Sequence, residues 1–130
     1  MKILVIGVGG IGGFIGSYLV NKNYDVTFIA RKKRLSYLKT NGLKLESELG
    51  KIYSPIIKVI EEIPEKESFD IIINTVKLYD FDSVLDEIKK KIKNKPLILP
   101  FQNGIYAEER LKKKLPGINT IGAVAQISVF

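Results

Sequence analysis

A chain of 130 residues carries 21 Lys and Arg against 14 Asp and Glu, a formal net charge of +7. It contains neither cysteine nor histidine, which excludes disulfides, thiol catalysis, imidazole-based triads and the usual Cys or His metal ligands. The length fits one domain with a real core, and no apolar run reaches the roughly 18 residues that span a bilayer.

Residues 2–6, KILVI, form a short β-branched run bounded by glycine and predict a buried strand. The run is broken by Gly7, Gly9 and Gly10 before it could serve as a signal peptide, so the expected location is cytoplasmic. After the glycines, Ile11, Phe14, Ile15, Tyr18 and Leu19 recur at helical spacing and predict a helix buried on that face. Asn21 and Asn23 end it, and residues 25–30 predict a second strand. Residues 31–40, RKKRLSYLKT, read as a short basic helix, and the stretches around LKLES and KIYSP as a small hairpin or two edge strands. Val59 to Glu67 is acidic and reads as a linking segment.

Phe69 to Val76, FDIIINTV, is the most apolar strand candidate and belongs at the sheet centre. Phe81, Val84, Leu85, Ile88 and Ile92 define a further helix, which Pro96 stops before a strand at 97–99. Asn103-Gly104 opens a helix with Ala107, Leu111 and Leu115 inward, and Thr120 to Val129 predicts a last apolar strand. Strands alternating with helices predict an α/β fold of Rossmann type, doubly wound, with a mostly parallel sheet and helices on both faces. The whole of residues 1–130 reads as one domain. Because the chain stops at an apolar strand with no covering helix, the expectation is the first domain of a longer protein.

Gly7-Val8-Gly9-Gly10-Ile11-Gly12 matches G-x-G-x-x-G between a predicted strand and a predicted helix, the context that lends the pattern weight. Gly7 would permit the tight turn, Gly9 the approach of a pyrophosphate to bare backbone, and Gly12 close packing of helix on strand. The N–H groups and dipole at the helix start favour phosphate. The alternative is a plain tight turn. About 20 residues on, where an NAD site places Asp or Glu on the ribose hydroxyls, the second strand ends in Arg31-Lys32-Lys33-Arg34. A carboxylate would repel a 2′-phosphate and a guanidinium would bind it, so Arg31 predicts NADP over NAD.

Lys77, beyond the carboxyl end of FDIIINTV, is placed to reach cofactor or an anionic substrate; the bland alternative is a surface lysine. Asn103, just past LPF, would cap the next helix, hydrogen-bond the nicotinamide and substrate, or do both. The lysines at 89–95 and 112–114 fall late in amphipathic helices, where they complement the dipole and stay solvated. They come with no aromatic platform, so neither nucleic acid nor membrane is an expected partner. Tyr18 and Lys22 match a Tyr-x-x-x-Lys spacing by chance, since their helix follows the glycine loop directly.

MKILVIGVGGIGGFIGSYL, VTFIAR, NTVK and LPFQNG, in that order, resemble the N-terminal domain of ketopantoate reductases (2-dehydropantoate 2-reductases) over nearly the whole chain. The resemblance implies NADPH as cofactor and reduction of ketopantoate to pantoate, on the way to pantothenate and coenzyme A. It implies Gly7, Gly9 and Gly12 at the pyrophosphate, Arg31 at the 2′-phosphate, and Lys77 and Asn103 at the nicotinamide and substrate end. It also implies that Gln126 to Ser128 pass near the cofactor. By the resemblance, the family's catalytic lysine, a carboxylate residue and other substrate contacts lie in a second, helical domain, so no catalytic residue is expected in this chain. Cofactor binding without turnover is the expectation, with a small 2-keto acid as the substrate of the complete enzyme. A homodimer stays open. Two other readings remain: a stand-alone NADP-binding or regulatory module, and the cofactor domain of another dehydrogenase such as the glycerol-3-phosphate or 6-phosphogluconate enzymes.

Overall fold

A computed structural model describes residues 1–48, 50–76, 78–101 and 105–118. Its elements in chain order are β1 (Lys2–Ile6), α1 (Gly10–Asn21), β2 (Asp25–Ile29), α2 (Lys32–Asn41), β3 (Leu43–Ser47) and β4 (Gly50–Ser54). They continue with β5 (Lys58–Ile60), β6 (Ile71–Asn74), α3 (Leu78–Lys91), β7 (Leu97–Pro100) and α4 (Ile105–Lys114). The five-stranded sheet runs β5-β2-β1-β6-β7, every neighbouring pair parallel, while β3 and β4 form a separate antiparallel hairpin. The chain is thus a Rossmann-type α/β domain. No helix among the described residues is long and apolar enough to cross a membrane.

The alternation of side chains along β1 explains why KILVI is apolar at every inner position. Leu4 and Ile6 enter one core with Phe81, Val84, Leu85 and Ile88 of α3 and Leu111 of α4. Ile3 and Val5 enter the opposite core with Phe28, Leu38 of α2 and Leu43. A strand covered on both faces has no polar side to show. Each of these fully buried side chains contributes about 1.5–3 kcal/mol of transfer free energy. On the α3 side, Arg110 pairs with Asp82 and Lys114 with Asp86 at 3.0 Å, joining the two helices.

Two expectations are corrected. Val59 and Ile60 are not part of a linker: with Lys58 they form the edge strand β5, paired in parallel with β2 through Thr27 to Ile29. Three residues are too few to show a period, and the acidic run that follows masks them. Second, the buried face of α1 is Gly12, Gly13, Gly16 and Ser17, while Ile11, Phe14, Ile15, Tyr18 and Leu19 stay only half-buried. The small residues let the helix axis sit close to the sheet: a Cβ on Gly16 would overlap the ring of Phe28. The apolar stripe instead flanks that contact, with Ile15, Leu19 and Val20 against the edge of the core. FDIIINTV provides β6, an interior strand between β1 and β7, while the centre of the five described strands is held by β1. The expected strand at 120–129 lies outside the described residues.

Candidate functional site

In a parallel sheet all carboxyl ends point to one edge, so the segments following β1, β2 and β6 converge there. Between them lies a cavity of about 650 Å³, within the usual range for a small-molecule site. Gly7, Val8, Gly9 and Gly10 form its floor, Ala30, Arg31 and Arg34 one wall, and Val76, Asp80, Val84 and Glu87 another. Leu43, Lys44 and Leu45 of the hairpin and Phe14 of α1 close the remaining side.

The glycine turn is fixed by its surroundings. Gly7 sits at φ +90°, a conformation that only glycine adopts without strain, and its N–H donates to the Ile29 carbonyl at 3.2 Å. A Cβ at Gly12 would overlap the Gly7 carbonyl oxygen, so this glycine is needed for the turn to close on the helix. Thr75, at the end of β6, places its hydroxyl 2.8 Å from the Gly7 oxygen and 3.0 Å from that of Ile6, tying β6 to the turn. Gly9 differs: a Cβ there would meet nothing within 4 Å. The fold does not need Gly9 to lack a side chain, and the open space above it belongs to the cavity. Helix α1 then starts at Gly10 with no side-chain cap and no acidic residue in its first turn. Its leading N–H groups have no intrahelical acceptor, which makes this end suited to an anion.

A second positive wall comes from the turn between β2 and α2. Arg31 is the N-cap of α2, its side chain makes no capping hydrogen bond, and Lys32, Lys33 and Arg34 follow with no acidic residue in the first turn. Lys32 adopts φ +51°, a left-handed conformation that side chains disfavour. A cation near a helix N-terminus opposes the dipole by about 0.3–1 kcal/mol at an exposed position. Such a set is unfavourable for folding alone and becomes favourable once an anion sits beside it. Arg34 donates from Nε to the Val8 carbonyl at 2.9 Å and lies over the Tyr37 ring, 5.8 Å from its centroid. Opposite, Glu87 is held by Lys91 at 3.6 Å.

The structure thus gathers Gly7, Val8, Gly9, Gly10 and Arg31 around one cavity. Ile11 and Gly12 stand in the first turn of α1, behind this floor. Lys77, Asn103 and residues 126–128 lie outside the described residues. Sequence reasoning missed Thr75, Arg34 and the hairpin wall. Thr75 bears a hydroxyl inside an apolar run, a signal that something polar is met at the strand's end. Arg34 was hidden within a run of four cations, and nothing local shows that the hairpin folds back over α1.

A sequence profile described as ketopantoate reductase PanE/ApbA matches residues 3–130. An uncharacterised oxidoreductase of Bacillus subtilis is 39% identical over 112 residues, which cover 85% of this chain and 36% of that protein. The 2-dehydropantoate 2-reductase of Archaeoglobus fulgidus is 32% identical over 130 residues, covering 94% of this chain and 40% of its own length. Among solved structures, 2-dehydropantoate 2-reductase from Geobacter metallireducens superposes with a TM-score of 0.87 at 27% identity, over 98% of this chain and 42% of that one. The chain spans 36% and 40% of the lengths of these two sequence relatives.

Proposed function

We propose, on the premise that the chain belongs to the ketopantoate reductase PanE/ApbA family of oxidoreductases, that it is the NADPH-binding domain of such an enzyme. The complete enzyme would reduce 2-dehydropantoate to pantoate, with the reduced nicotinamide supplying the hydride. The observation that carries the reading is the bare backbone at Gly9, open to a cavity of about 650 Å³ with Arg31 and Arg34 in its wall. The fold leaves this space clear without needing to, and a dinucleotide of mixed apolar and anionic character matches both its volume and its lining.

The residues present fit the cofactor part by part. Gly7, Gly9 and Gly10 offer backbone to a pyrophosphate at the start of α1, with Val8, Ile11 and Gly12 completing the turn. Arg31 offers a fork to a 2′-phosphate where an NAD site would carry a carboxylate. Lys77 and Asn103, which come after β6 and β7 in the sequence, are the residues we assign to the nicotinamide end on the family resemblance. Reduction of a ketone also needs a positioned acid. We assign none to this chain, and so propose that the chain alone binds NADPH without turnover.

The test offers NADPH and 2-dehydropantoate to the 130-residue chain and follows both bound cofactor and loss of reduced-nicotinamide absorbance. Binding with no reduction is expected; reduction by this chain would refute the division of labour, and no binding would refute the cofactor reading. Because the relative at 39% identity is an uncharacterised oxidoreductase, a second reading takes another 2-keto acid as the substrate. A panel of 2-keto acids offered with NADPH to an enzyme that carries this domain separates the two.

A further inference from the structure

We infer that Arg34 is a second selector of the cofactor's 2′-phosphate, aimed at it in advance by the Val8 carbonyl and the Tyr37 ring. The inference rests on the reading of the cavity as an NADPH site and deepens it. Arg34 is one turn of α2 beyond Arg31, and both line the same wall. They are placed differently. Both are exposed, but the Arg31 side chain makes no capping hydrogen bond. Arg34 is held at two points: Nε donates to Val8 at 2.9 Å, and the guanidinium lies over Tyr37 with its carbon 5.8 Å from the ring centroid.

An arginine has five N–H donors, and the bond to Val8 uses one. No ion pair between Arg34 and a carboxylate occurs among the described residues. The terminal nitrogens therefore remain for a ligand, on a side chain whose rotamers are already restricted. Binding an anion there loses less conformational freedom than binding it to a free side chain. The planar fork suits a phosphate better than the point charge of a lysine. The contact also links selection to the loop, because the carbonyl that aims Arg34 belongs to the residue before the open Gly9.

The experiment measures dissociation constants for NADPH and NADH, and for adenosine 2′,5′-bisphosphate against adenosine 5′-monophosphate. The proteins are the unsubstituted chain, Arg34→Gln, Arg34→Lys and Tyr37→Leu, each at low and high salt, with thermal unfolding as the check on folding. Arg34→Gln should narrow the preference for the 2′-phosphorylated ligand about tenfold, the low end for a charge-assisted hydrogen bond. Arg34→Lys should recover part of it. Tyr37→Leu, which keeps the charge and frees the side chain, should give a smaller loss in the same direction. Added salt should erode the preference more in the unsubstituted protein than in Arg34→Gln.

An unchanged preference in Arg34→Gln would overturn the inference. So would an equal weakening of both members of each ligand pair, since Arg34 would then only hold the loop. If Arg34→Gln did not fold, a Tyr37→Leu variant with the full preference and full salt response would overturn it. Failure of the unsubstituted protein to bind either nucleotide is a different result, and removes the cofactor reading together with this one.

Discussion

Replacing Gly9 with alanine separates a site from a turn. The added methyl meets no atom of the chain within 4 Å, and the backbone there, at φ −93° and ψ −152°, is extended rather than left-handed. Folding should tolerate it, and alanine restricts the unfolded chain, so stability should stay level or rise by up to about 1 kcal/mol. The methyl would occupy the space through which a pyrophosphate reaches the backbone. Losing one charge-assisted hydrogen bond there removes about 1.5–3 kcal/mol, roughly a 10- to 150-fold loss in NADPH affinity. The comparison is Gly12→Ala, whose Cβ would overlap the Gly7 oxygen, so that it should lose stability as well as binding. Urea unfolding followed by circular dichroism gives the first quantity and a nicotinamide fluorescence titration the second. A Gly9→Ala chain that binds NADPH undiminished would refute the reasoning, and one that unfolds like Gly12→Ala would show the turn alone requires this glycine.

Gly16→Ala drives a methyl into the fully buried ring of Phe28. About 2 kcal/mol of overpacking should outweigh the roughly 1 kcal/mol that alanine gains over glycine in a helix, lowering Tm by several degrees. Thermal unfolding checks this, and an unchanged Tm would mean that α1 is not held as close to β2 as described. Arg31→Asp should repel a 2′-phosphate and accept ribose hydroxyls, shifting the NADPH-to-NADH affinity ratio by at least tenfold, about 1.4 kcal/mol, toward NADH. Paired titrations read that ratio, and an unmoved one would remove Arg31 from the site. The hydrogen bond from Arg110, helped by the charges of Arg110, Lys114 and Lys113, outweighs desolvation and holds the Asp82 carboxyl below its ordinary value. A lowered folded-state pKa stabilises the fold above the ordinary carboxylate value of about 4, and that stability is lost as pH falls through the folded value. Asp82→Asn should therefore be slightly less stable than the parent at neutral pH and equal to it in acid, as urea titrations across pH would show.

Much of the fold was legible because its strands are buried on both faces and so stand out as unbroken apolar runs. KILVI, DVTFI and FDIIINTV stand out in that way, and the helical period in Phe81, Val84, Leu85 and Ile88 matches the buried face of α3, with Ile92 buried just past its end. Where a glycine face does the packing, periodicity misleads. In α1 the contact with Phe28 is made by the absence of a side chain at Gly16, which a hydrophobic pattern does not register. β5 escaped notice because three residues carry no period. That the glycine turn and Arg31 line one cavity was readable because both follow strands of a parallel sheet, whose carboxyl ends share an edge. Thr75 and Arg34 were not, since their roles depend on contacts with Gly7 and Val8, 68 and 26 positions away in sequence.

We propose that this chain binds NADPH in preference to NADH. Parallel titrations that follow nicotinamide emission test it directly, and with no tryptophan in the chain that emission is read without interference from indole. NADPH binding at least tenfold tighter than NADH is the predicted result. Equal affinity, or NADH bound more tightly, would contradict it.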